Sequence, residues 1–226
     1  MLQKITGVIL RPDTFFAEKM QSAEEIKIPL IIVVVTGIIG AVTGYLMGEL
    51  TARMFSGAGA GMGQLVLISS VAGAFVGVLL MWVIGTAILY LLSMAFKGNG
   101  GFKKTLECIG WGFIPQVFSG IISLLLSLYY LPMVQVPVLR SLQDQDLMQN
   151  AINQMMNDPS MLQFRQISSI ISIIFILWSA NIWIFGMKHA RKLTTKNAAI
   201  VVLVPVIIYI VSIVYTIFSG VPAPGA

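Results

Sequence analysis

Hydrophobic and polar positions in this chain do not alternate at short range. Apolar residues gather into five long runs, at about residues 28–49, 64–96, 106–130, 166–188 and 197–219. Charge reaches these runs only at their ends, at Glu49, Glu107 and Lys188. A helix rises about 1.5 Å per residue, so each run is long enough to cross roughly 30 Å of hydrocarbon. The pattern predicts an all-α, polytopic membrane protein with five transmembrane helices. The 64–96 run exceeds one perpendicular span. It is expected to tilt, to break near Gly85 or to run on into water. No polar turn interrupts it, so a hairpin of two spans is not expected.

The polar intervals carry patterns of their own. Residues 1–27 are mixed in charge, with no apolar core leading to a cleavage site, so the first run is expected to stay in the protein. Leu2, Ile5, Val8 and Ile9 share a helical face, and Arg11-Pro12-Asp13 breaks it. Phe15, Phe16 and Met20 then form a second stripe. Two short helices are predicted, lying on the membrane surface or packed on the ends of the spans. Ser22-x-x-Glu25 has the spacing of a capping box before the first span. In the long interval 131–165, Leu131-Pro132 through Pro137 should be extended. Ser141 is placed to cap a helix with Asp144 in its first turn. Leu147, Met148, Ala151, Ile152 and Met155 would share that helix's apolar face, and Asn157-Asp158-Pro159 is a stop signal. It should rest on the membrane surface or cap the bundle. Its methionines suit adaptable apolar contact better than copper(I).

Composition adds a constraint. Of 226 residues, 57% are hydrophobic and 10% charged, against about 25% charged in soluble domains. The net charge of +5 matters through its location. Eleven Lys and Arg fall before the first span and in the second and fourth intervals, against three in the first and third. The positive-inside rule then puts the N-terminus in the cytoplasm and the C-terminus outside. On this reading residues 1–27 are a cytoplasmic interfacial segment, 28–219 the membrane domain and 220–226 a flexible tail. One Cys and one His exclude a disulfide framework and a Cys/His zinc cluster. No catalytic motif and no pair of intramembrane carboxylates appears, so no enzyme, cofactor, metal or nucleic-acid partner is expected.

Within the spans, two sets of small and polar residues stand out. Gly40, Gly44 and Gly48 in span one, and Ser69, Gly73 and Gly77 in span two, recur every fourth residue. Such rows let helix backbones approach closely. They are expected to meet each other within the chain, or to form a homodimer through one row. Pro115-Gln116, Asn181 and Pro205 lie at similar depth in spans three, four and five. Each Pro frees a backbone carbonyl that an amide side chain can satisfy. A polar layer of Pro115, Gln116, Asn181 and Pro205 is predicted, serving as glue between helices or as a path for a small solute.

Between spans two and three runs Phe96-Lys97-Gly98-Asn99-Gly100-Gly101-Phe102-Lys103-Lys104-Thr105. It looks like a phosphate loop, but Lys103 stands where both nucleotide templates need glycine. A tight cytoplasmic turn fits better. Lys97, Lys103 and Lys104, with Lys188, Arg191, Lys192 and Lys196, are expected to contact anionic lipid headgroups. His189, within the second group, is read the same way.

This loop opens a helix with Gly110-Trp111-Gly112-Phe113-Ile114-Pro115. Two spans precede it, and Arg11-Pro12-Asp13-Thr14-Phe15-Phe16 precedes those. The ensemble resembles the Yip-domain family, the Ypt/Rab-interacting membrane proteins, over about residues 5–219. The resemblance implies a five-span helical protein without catalytic activity. Its eukaryotic members bind prenylated small GTPases and partner Yip-family proteins. This chain lacks their long cytosolic N-terminal region and its Asp-Leu-Tyr-Gly-Pro-like motif, which leaves small-GTPase binding doubtful. It looks like compact prokaryotic members, which implies a plasma membrane location. The expected function is membrane organisation or scaffolding, with membrane lipids and a second copy or a related Yip-family protein as partners. The alternative is a transporter or channel for a small or lipid-like solute through the polar layer.

Overall fold

The computed structural model describes residues 2–57, 59, 61–139 and 145–219. Arg140, Ser141, Asp144 and the tail at 220–226 lie outside the described residues. Two short helices, α1 (Leu2–Leu10) and α2 (Pro12–Lys19), precede α3 (Lys27–Met54) and α4 (Met62–Ala95). Next come α5 (Phe102–Trp111), α6 (Ile114–Tyr130), a 3-10 turn (Leu131–Met133) and α7 (Gln145–Met156). The chain ends in α8 (Pro159–Ala190) and α9 (Thr195–Ser219). Among the described residues, five helices are long and apolar enough to cross a membrane. They are α3, α4, α6 with its 3-10 turn, α8 and α9.

Helix α4 runs unbroken through Gly85, for roughly 50 Å at 1.5 Å per residue. It therefore outruns the hydrocarbon thickness. The expected third span at 106–130 is divided instead. Pro115 has no N–H with which to continue the α5 ladder. The chain turns at Gly112 and Phe113, where the Gly112 N–H bonds back to the Cys108 and Ile109 carbonyls. α6 then restarts with Pro115 in its first turn, where the missing donor costs nothing. The Trp183 indole lies where a Gly112 side chain would be. The fourth span starts at Pro159 rather than near 166, because the Asp158 carboxylate caps it, accepting from the Ser160 N–H at 2.8 Å and the Met161 N–H at 3.3 Å.

The expected capping box before α3 does not form. Ser22 Oγ donates back to the Lys19 carbonyl at 2.7 Å, and the Glu25 carboxylate turns to Lys4 and Lys19. α1 and α2 pack on the bundle: Val8 and Phe16 are fully buried in the main core with α5 and α8, and the Phe15 ring meets Trp111 edge-on at 5.1 Å. At the other end of the spans, α7 covers the bundle. Met155 packs with Leu50, Leu131, Met161 and Phe164, and Ala151 with Met54 and Leu139.

The α3–α4 seam is tight, but its partners are not the expected ones. A Cβ on Gly44 would lie 2.8 Å from Ala74 Cβ and from the Ser70 carbonyl oxygen. One on Gly48 would lie 2.8 Å from Ser70 Cβ, and one on Gly40 would lie 3.6 Å from Val78. The row facing span one is therefore Ser70, Ala74 and Val78. It sits one residue, about 100°, around α4 from Ser69, Gly73 and Gly77. A Cβ on Gly73 or Gly77 would meet nothing within 4 Å. Small side chains at 70 and 74 allow the close approach as well as glycines would, and the 73–77 row is left open.

Candidate functional site

Two regions concentrate polar chemistry: the charged end of the bundle, and a crevice within the spans. At the charged end, Arg191 is 2% exposed. Its Nε donates to Ser93 Oγ at 2.8 Å and its Nη2 to the Gly98 carbonyl at 2.7 Å. Nη1 donates to the Gly100 carbonyl, and the guanidinium lies 4.1 Å from the centre of the Tyr90 ring. The Asn99 N–H bonds to the Arg191 carbonyl at 2.9 Å. Gly100 has no side chain where the Ala190 carbonyl lies. The glycine loop is thus the seat of a clasp that pins the end of α4 to the end of α8. Sequence reasoning placed Arg191 among headgroup contacts and missed this role. The signal was present in carbonyl-exposing glycines facing a planar, five-donor cation.

The neighbouring charges are also engaged. Lys188 Nζ lies 2.7 Å from Asp13 Oδ1, and His189 Nε2 lies 2.6 Å from the same oxygen. Hydrogen bonds from Lys188 and His189 hold the Asp13 carboxyl below the ordinary carboxylate range. Buried Glu107 pairs with Lys19 at 3.0 Å and accepts the Glu25 N–H at 3.2 Å. Burial disfavours charge on Lys19, but the Glu107 and Glu25 carboxylates outweigh it and raise the Lys19 pKa. Lys103 lies 3.6 Å from Glu24, and Lys104 donates to the Met20 carbonyl. Lys97, Lys192 and Lys196 are exposed. Cys108 is fully buried against Met20, so its thiol is not presented for acylation.

The crevice lies between α4, α6, α8 and α9. Its volume is about 330 Å³. Gln116, Pro205, Ser172 and Trp183 line it, with Met81, Ile88 and Tyr209 towards the outside. Gln116 Nε2 donates to Ser179 Oγ at 3.0 Å. Trp183 Nε1 donates to the Ile109 carbonyl at 2.9 Å, in the last turn of α5. Asn181 is not part of this grouping. It is exposed on the far side of α8 from buried Ser179 and Ile182. The structure brings Gln116 and Pro205 together, buries Pro115 beside them, and replaces Asn181 with Ser179. Two positions along a helix rotate a side chain by about 200°, which is why similar depth did not bring Asn181 to Gln116. Among the described residues, no group of His, Cys, Asp and Glu could hold a metal ion.

Comparison with known proteins follows the same outline. The Yip1 domain family matches residues 6–216. An uncharacterized protein of Methanocaldococcus jannaschii is 30% identical over 129 residues, which cover 57% of this chain and 92% of that protein. No solved structure matches the chain.

Proposed function

This chain belongs to the Yip1 domain family, and from that premise we propose that it organises membranes by binding other helices. Family membership makes it a non-enzymatic, multi-pass membrane protein. Our reading adds the orientation, with residues 1–27 on the cytoplasmic side, 28–219 as the membrane domain and the C-terminus outside. It also adds a prokaryotic plasma membrane, supported by the archaeal relative.

The observation that carries the reading is the open face of α4. Gly73 and Gly77 have nothing within 4 Å of where a side chain would start, although the same helix packs tightly on α3. Small residues without an internal partner suit close approach by another helix, from a second copy or a related Yip-domain chain. The charged groups point the same way. Asp13, Glu107 and Arg191 are spent on tying elements together. The lining of the crevice is largely apolar and carries no charged side chain, which supports helix packing over a polar path for solutes. Exposed Lys97, Lys192 and Lys196 would hold this end against anionic headgroups.

Fluorescently tagged protein in liposomes, counted by photobleaching steps, tests the reading. Wild type should show more than one copy per assembly, or should do so with a related Yip-domain protein present. Gly73→Leu with Gly77→Leu should reduce assemblies to single copies. Solute flux into such liposomes that disappears in Gln116→Leu would overturn the proposal in favour of transport.

A further inference from the structure

The crevice has three features that together describe a ligand. Its mouth lies in the spans: Met81, Ile88 and Tyr209 are 62%, 45% and 43% exposed, so the opening faces hydrocarbon. Its wall holds no charged group, so it suits neither an ion nor a charged headgroup. Its polar groups are few and deep. Ser179 lies roughly 16 Å along α8 from the charged end at Ala190, which is about half the hydrocarbon thickness.

Gln116 is the group that discriminates. One atom of its carboxamide is committed to Ser179 Oγ. The other carries no hydrogen bond among the described residues, and Gln116 lines the cavity. The two ends of a carboxamide have nearly the same shape, so the spare atom is either an acceptor or a donor. A hydroxyl satisfies both cases. An amide facing a largely apolar cavity without a partner is costly, so an occupant bearing one hydroxyl is favoured over a bare hydrocarbon chain.

We infer that the crevice is a lateral binding site for an uncharged lipid with a long hydrocarbon chain and a single hydroxyl. The chain enters between α4 and α9, and Gln116 receives the hydroxyl. Gly85 keeps the entrance open, because nothing lies within 4 Å of where its side chain would start. The site is internal to one copy and stands whether or not the protein self-associates.

The test is photolabelling of the full chain in phosphatidylcholine nanodiscs. Two probes are compared: hexadecanol carrying a diazirine near its hydroxyl, and phosphatidylcholine carrying a diazirine in one chain. The alcohol should label Ile109, Phe113 and Ile176, which line the crevice with Gln116, mapped by peptide mass spectrometry. Gly85→Leu should abolish this labelling without lowering the melting temperature. Gln116→Leu should weaken it about five-fold, as expected for one hydrogen bond. Leu125→Phe, at an exposed site on α6, should change nothing. If Gly85→Leu does not fold, Ser172→Phe fills the crevice from the opposite wall and must have the same effect. Diffuse alcohol labelling along all spans, or full labelling in a folded filled-crevice variant, overturns the site. Equal crevice labelling by the phospholipid chain, with no effect of Gln116→Leu on the alcohol, overturns recognition of the hydroxyl.

Discussion

Glycine is used in opposite ways at the α3–α4 seam and at the α4–α9 crevice. At the seam, Gly44 is a contact: any side chain would collide with Ala74 and with the Ser70 backbone. At the crevice, Gly85 borders open space on the next helix along. The first lets two backbones approach, and the second leaves two helices apart. Burial follows the same division. Leu89 and Thr86 face inward from α4, while Met81 and Ile88 stay exposed beside α9. Packing thus fixes α4 against α3 along much of its length. At its end, α4 is tied to the end of α8, where Arg191 grips Ser93 and the glycine loop.

The same substitution at both glycines breaks this comparison most sharply. Gly44→Leu should destabilise the protein by about 3 kcal/mol, because the seam's backbone must shift. Gly85→Leu should stay within about 0.5 kcal/mol of wild type, as at an unconstrained surface site. Reversible unfolding in mixed micelles measures both, and equal losses would show that the two glycines are not different. The next effect concerns the clasp. Arg191→Met strands the Gly98 and Gly100 carbonyls and Ser93 Oγ, at a cost of about 2–3 kcal/mol. It should also speed hydrogen exchange at Gly98 and Asn99 while leaving the α3–α4 seam protected.

The smallest effect is expected at the ion pair joining α2 to α8. The folded pKa of Asp13 lies below its ordinary value of 3.8. Near that pH the unfolded chain therefore binds more protons than the folded one. The contribution is fully present above 3.8 and is lost as pH falls through the lowered folded value. The Asp13 side chain is 49% exposed, so solvent screening keeps the term under about 1 kcal/mol. Asp13→Asn should lower stability by under about 1 kcal/mol above this window and converge with wild type as pH falls through it, which flattens the acid limb of the stability curve. An unchanged acid limb would show that the pairing with Lys188 and His189 contributes nothing.

Much of the architecture was legible as pattern. The apolar runs locate five spanning helices, and Arg11-Pro12-Asp13 separates α1 from α2. Asn157-Asp158-Pro159 ends α7 and starts α8. The site was legible only in part. Gln116 and Pro205 were placed at a common depth and do meet at one cavity, whereas Asn181 turned away. Ser179 drew no attention, since a lone serine within an apolar span has no signature. Arg191 was read from its company of exposed lysines, although it is buried and they are not.

What the sequence determined by itself is the solvent and the count of spans. Hydrocarbon cannot satisfy a bare backbone, so apolar length alone commits these segments to helices. What the tertiary structure decided is azimuth. One residue along a helix is about 100° around it. That step separates the packed Ser70–Ala74–Val78 row from the open Gly73–Gly77 row, and a two-residue step separates Ser179 from Asn181. Depth in the membrane follows from counting residues, but the direction a side chain faces depends on which helix lies beside it.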